Sequence, residues 1–180
     1  MACENVHGRR LPRGQHDLMP PMLPFESDLA DRIAGILSQR SSLSLAEEEA
    51  AYVRLEEDLG NRCNSDSERG RLAWLLKKRI TIARLDRSPR DDTALILVGE
   101  LFVAPGASVQ ERVVVGVLAA QHKLRARQGS RAQAVINRMD ALFGQSVDEP
   151  LRSSVADLRE RLGAVRRFGA KGSSSPRRRG

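Results

Sequence analysis

The sequence is short of aromatic residues. Phe, Tyr and Trp make up 3% of its 180 residues: Phe25, Tyr52, Trp74, Phe102, Phe143 and Phe168. Modules that read single-stranded nucleic acid stack bases on interleaved aromatic side chains, and that mode is therefore excluded. Cysteine is scarce too. Cys3 and Cys63 alone cannot build a disulfide framework, which points to an intracellular, reduced setting, cytoplasm or nucleus. The first 25 residues hold four prolines and no apolar core segment, so no secretory signal is expected. No apolar run reaches 18 residues; the nearest, around 94–120, is broken by Pro105, Gly106, Gln110, Glu111 and Arg112. It should be buried in protein rather than in lipid, and no membrane partner is expected.

Catalytic signatures are missing as well. The chain has no GxSxG, no P-loop, no GxGxxG and no Ser-His-Asp order. Cys3, His7 and His16 carry zinc-ligand chemistry, but a structural zinc takes four ligands. Only Cys63 and His122 remain, inside other helical segments. No metal, no cofactor and no enzymatic activity are expected.

What is abundant is positive charge, unevenly placed. The net charge is +7. Residues 25–66 hold four basic and ten acidic side chains, residues 67–168 hold 19 and 11, and residues 169–180 hold four and none. An acidic front precedes a basic back, which suggests a polyanionic partner, an acidic-basic self-contact, or both. Arginine outnumbers lysine 26 to four. Arginine's fork suits phosphate, but GC-rich coding produces the same bias, so this carries only part of its usual weight.

The pattern of apolar residues gives an all-α domain over 25–168, with flexible arms at 1–24 and 169–180. A first helix starts near Ser27 as N-cap, with Leu29, Ile33, Ile36 and Leu37 as its stripe. Ser44-Leu-Ala-Glu47 is a capping box, and its helix closes at Gly60. A third helix spans about 66–87 and stops before Pro89. TALILVGELFVA (93–104) has no clear period; it reads as helix, with strand as the alternative. Ser108-Val-Gln-Glu111 is a second capping box, opening a helix over about 108–127 that is apolar on every side from Val113 to Ala120 and therefore central. Helices over 131–143 and about 150–168 complete a compact bundle of six to seven.

Basic clusters supply the candidate sites. Lys77, Lys78 and Arg84 lie on the third helix, and Lys123, Arg125 and Arg127 run out of the central one with Arg131 beyond. Arg152, Arg159 and Arg166 recur every seven residues along the last helix, a stripe about 21 Å long at ~1.5 Å per residue. Any of these could hold phosphates, or pair with the acidic second helix within or between chains. Trp74 and Leu85 fall nearly opposite the Leu72, Leu75, Leu76, Ile80 and Ala83 face. A helix held between two layers of its own domain accounts for them, and an oligomer or partner interface, for which a Trp anchor is a common hot spot, is the alternative. Arg177, Arg178 and Arg179 end the chain behind Ser173, Ser174 and Ser175, three phosphorylation candidates before Pro176. Phosphates of about −1.5 to −2 each would cancel the tail's charge.

Together these features suggest a nucleic-acid-associated regulatory or packaging protein that self-associates. It would bind RNA or DNA backbones with weak sequence specificity and steep salt dependence. Size and basic arms would suit a viral or phage accessory protein. The alternative is a helical adaptor whose basic half meets an acidic protein.

Overall fold

The computed structural model describes residues 25–144 and 146–171, with side chains described through Ala164. Seven helices follow one another: α1 (Glu26–Ser38), α2 (Leu45–Gly60), α3 (Asp66–Arg87), α4 (Thr93–Val103), α5 (Val109–Arg125), α6 (Gly129–Phe143) and α7 (Glu149–Lys171). Among the described residues there is no strand, and no helix is long and apolar enough to cross a membrane. The ambiguous stretch at 93–104 is helical, as favoured.

Side-chain caps start three of these helices. Ser44 Oγ accepts from Glu47 N at 3.2 Å while Ser44 N donates to Glu47 Oε2 at 2.7 Å. Ser108 and Glu111 repeat the arrangement at 3.2 and 2.9 Å. Each box satisfies amide donors that a helix start leaves orphaned. A third cap went unread in the sequence: Ser65 Oγ accepts from Glu68 N at 3.2 Å. Ser27 is not the cap of α1. That position belongs to Phe25, with no side-chain cap, and Leu29 N donates to Phe25 O at 2.8 Å. Phe25 is buried, so its packing sets where the helix begins rather than a hydroxyl.

Two apolar clusters make the core, and α3 is the wall between them. On one side Leu72 and Leu76 pack with Phe25, Leu29, Ile33, Tyr52, Leu55, Leu59 and Cys63 of the α1–α2 hairpin and its exit. On the other, Trp74 and Leu85 pack with residues of α4 to α7. Trp74 and Leu85 are each 1% exposed, and Trp74 Nε1 donates to Leu101 O at 3.1 Å. The interface reading of these two residues is therefore corrected. An anchor for another chain must be reachable, and both are consumed by the domain's own second layer.

α5 occupies the middle of the larger cluster, touching α3, α4, α6 and α7. Val113, Val115, Gly116, Val117, Ala119 and Ala120 are all buried on it. At Gly116 the side chains of α4 and α6 fill the space that a Cβ would need. A methyl there would collide with Met139 Sδ and lie 2.9 Å from Phe102 Cζ. The α4–α5 loop turns at Gly106, whose φ of 90° favours glycine. There a methyl would lie 2.5 Å from Gly70 O, so the loop rests directly on the α3 backbone.

Candidate nucleic-acid interface

Most of the basic side chains singled out from the sequence have partners inside the domain. Lys77 Nζ reaches Glu100 Oε2 at 2.9 Å. Arg84 clamps Glu49 with Nε at 2.6 Å and Nη2 at 2.7 Å, and adds Asp91 at 3.4 Å. Arg131 pairs with Asp92 at 2.5 Å, Arg152 with Glu149 at 3.6 Å, and Arg159 with Asp140. Lys78 lies half-buried with Nζ 5.4 Å from the Trp74 ring centre. Burial, reinforced by neighbouring Arg79, pushes its ammonium below the usual lysine range.

Lys123 is the clearest departure from the phosphate-binding expectation. Its side chain is fully buried, and Nζ donates to Pro89 O at 2.9 Å and Asp91 O at 2.8 Å. Burial lowers its pKa, opposed by nearby Asp92 and Asp91. A buried ammonium persists only when its donors are satisfied. Here it ties the end of α5 to the α3–α4 loop and is unreachable for phosphate. Arg166 lies on α7 with its side chain outside the described residues; Ser173, Ser174, Ser175, Arg177, Arg178 and Arg179 also lie outside them.

Part of the acidic front pairs with the basic back, Glu26 with Arg71, Glu48 with Arg87 and Glu49 with Arg84, while many of the other ion pairs join residues within the back itself. Glu48 of α2 is 1% exposed and sits between Arg40 Nε at 3.2 Å and Arg87 Nε at 3.3 Å. Arg40 continues to Asp86 at 2.9 Å, and Asp86 faces His122 at 3.3 Å. With Glu49, Arg84, Asp91, Lys123, Asp92 and Arg131, these groups lace four helices, α2, α3, α5 and α6, to the α1–α2 and α3–α4 loops.

Among the described residues, six exposed arginines have no carboxylate partner: Arg54, Arg90, Arg125, Arg127, Arg138 and Arg161. Three of them lie close in sequence to the Lys123 tie. Arg90 sits in the α3–α4 loop between the two residues whose carbonyls hold Lys123, while Arg125 and Arg127 follow Lys123 by two and four positions. Arg127 adopts φ 60°, the left-handed conformation that ends α5 and turns the chain into α6. The later half of α7 passes the same turn, since a methyl on Gly129 would lie 3.6 Å from Leu162 Cδ2. Arg161 precedes that contact, and α7 continues to Lys171. Of the sequence candidates, Arg125 and Arg127 thus remain available. Arg90 and Arg161 join them, and what marks them is exposure without an ion pair among the described residues.

The Arg152–Arg159 stripe borders a cleft of about 490 Å³ between α5, α6 and α7, floored by Val113, Met139, Val147 and Val155. Asp140 and Glu149 share its rim, so the stripe is locally neutral. Among the described residues no three of His, Cys, Asp and Glu form a group able to hold a metal ion. Cys63 is buried, its thiol donating to Leu59 O at 3.6 Å, and burial raises its pKa.

No protein-family model matches the sequence, and no curated protein or solved structure matches it either.

Proposed function

We propose that the chain is a non-catalytic nucleic-acid-associated protein, regulatory or packaging in type, that grips phosphate backbones electrostatically. The observation that carries this reading is the group Arg90, Arg125 and Arg127. These are exposed cations without carboxylate partners, on two connections that buried Lys123 holds together. Arg161 on α7 and the basic residues of 166–180 extend the surface in sequence. Phosphate contacts of this kind position a protein on nucleic acid without reading bases.

Fluorescence anisotropy of the full chain against a labelled single strand and a labelled duplex tests the reading. Binding is expected at about 50 mM salt and should collapse by about 300 mM, as counterion release requires. Absence of binding at the lower salt refutes it. Changing Ser173, Ser174 and Ser175 to Asp should weaken binding, because the added charge opposes the tail arginines. A second reading, an adaptor whose basic half meets an acidic protein, draws on the same unpaired arginines, which a carboxylate-rich partner would also satisfy. Polyglutamate binding as tightly as nucleic acid would select it.

A further inference from the structure

One face of α4 is uncovered. Ile96 is 63% exposed, Val103 66%, and Leu142 of neighbouring α6 47%. Ile96, Gly99, Glu100 and Val103 stand at i, i+3, i+4 and i+7, so they share a helix face. With Arg131 and Arg138 they line a groove of about 550 Å³ between α4 and α6. Arg138 lies across the helix at Gly99. Its Nη2 donates to Gly99 O at 3.4 Å, and a methyl on Gly99 would stand 2.6 Å from Nη1.

We propose that this face binds a second copy of the chain, the two α4 helices running antiparallel across a two-fold axis. A two-fold interface has to be self-complementary, and this stripe is symmetric about the midpoint between residues 99 and 100. In the antiparallel arrangement Ile96 of each copy meets Val103 of the other, and Glu100 meets the Arg138 that covers buried Gly99. Each Glu100 carboxylate then arrives where the opposite copy's Arg138 guanidinium lies. Arg138 has no carboxylate partner among the described residues, and its contact is the Gly99 carbonyl. Glu100 bridges Lys77 within its own chain, but that pair is 48% and 40% exposed. Such a surface bridge is worth little, so Glu100 can turn toward a second cation. Leu142, one turn beyond Arg138 on α6, widens the apolar contact. Asp92 and Glu100 on the same face disfavour an acidic helix from another protein; a second copy supplies both signs of charge.

The inference stands apart from nucleic-acid binding, since it uses none of Arg90, Arg125 and Arg127. Its test is sedimentation equilibrium of the full chain without nucleic acid. The expected mass is twice 19.9 kDa at high protein concentration, and a monomer at all concentrations up to about 200 μM overturns the proposal. Ile96→Glu with Val103→Glu should give a monomer with unchanged helical circular dichroism. If that pair fails to fold, the charge exchange decides. Arg138→Glu and Glu100→Arg should each weaken the dimer by about tenfold or more, and together restore it. A dimer insensitive to the single exchanges, or one that the double exchange fails to restore, overturns the antiparallel arrangement.

Discussion

Replacing Arg90, Arg125 and Arg127 together with glutamine isolates the unpaired cations from the rest of the charge. All three are exposed and none holds a carboxylate, so stability should change by less than ~0.5 kcal/mol, as for ordinary surface sites. Glutamine keeps the side-chain length, and at Arg127 it leaves the left-handed backbone no worse served than before. If each arginine neutralises one phosphate, the three add roughly 2 to 2.7 to the salt slope of binding, at 0.7 per contact on single strands and 0.9 on duplex. Between 50 and 200 mM salt the unaltered chain should then lose roughly twenty- to fortyfold more affinity than the variant. The assay is anisotropy across a salt series, with thermal melts as the control for folding. A comparison variant carrying Lys77→Gln, Arg131→Gln and Arg159→Gln removes the same formal charge from cations that already face carboxylates. Its slope should stay near that of the unaltered chain. Equal slopes for the unaltered chain and the Arg90, Arg125, Arg127 variant would refute the assignment. Equal losses in both variants would show that net charge alone binds, with no localised surface.

Three further outcomes follow from the packing. Trp74→Ala should destabilise the chain by about 3–5 kcal/mol, the range for buried aromatic truncation, and the unaltered chain's single tryptophan should emit in the blue-shifted range of a buried indole; chemical denaturation and emission spectra check both. Glu48→Ala leaves Arg40 and Arg87 without their shared carboxylate. Both arginines are partly exposed, and Arg40 keeps Asp86 while Arg87 keeps the Leu43 and Arg40 carbonyls, so the loss should be about 1–3 kcal/mol and appear as a lower denaturation midpoint. Acid should also destabilise the fold. Glu47 is held below the usual carboxylate range by Ser44, and Asp91 by the amide and hydroxyl of Thr93. Burial pushes Glu111 upward, but the Ser108 amide and Arg71 outweigh it. A carboxylate whose folded pKa is depressed contributes stability above its unfolded pKa and loses it as pH falls through the folded one. Melting temperature should therefore fall below the ordinary carboxylate range, and Ser44→Ala should shallow that fall; an unchanged profile would remove the cap from the account.

The helices were legible because their causes are local. The boxes at Ser44–Glu47 and Ser108–Glu111 act across three residues, and the all-apolar run at 113–120 can only be central. The two-sided burial of α3 was harder to read. Leu72 and Leu76 formed the evident stripe, and Trp74 on the far side admitted either a second layer of the domain or a partner; the packing chose the layer. The sites were less legible still. Lys123 and Arg125 are two residues apart and alike in sequence, yet one is fully buried against two carbonyls more than 30 positions away and the other is open to solvent.

Sequence alone therefore determined the helical content, the two capping boxes, the central place of α5 and the segregation of charge, since each can be read from residues near one another in the chain. Tertiary structure decided which charges remain available. Arg84 finds Glu49 across 35 residues and Arg87 reaches Glu48 across the same α2–α3 contact. Whether a cation faces a carboxylate, a carbonyl or water depends on which helices pack together, and that is fixed by burial of apolar surface rather than by the cation's own neighbours in the chain.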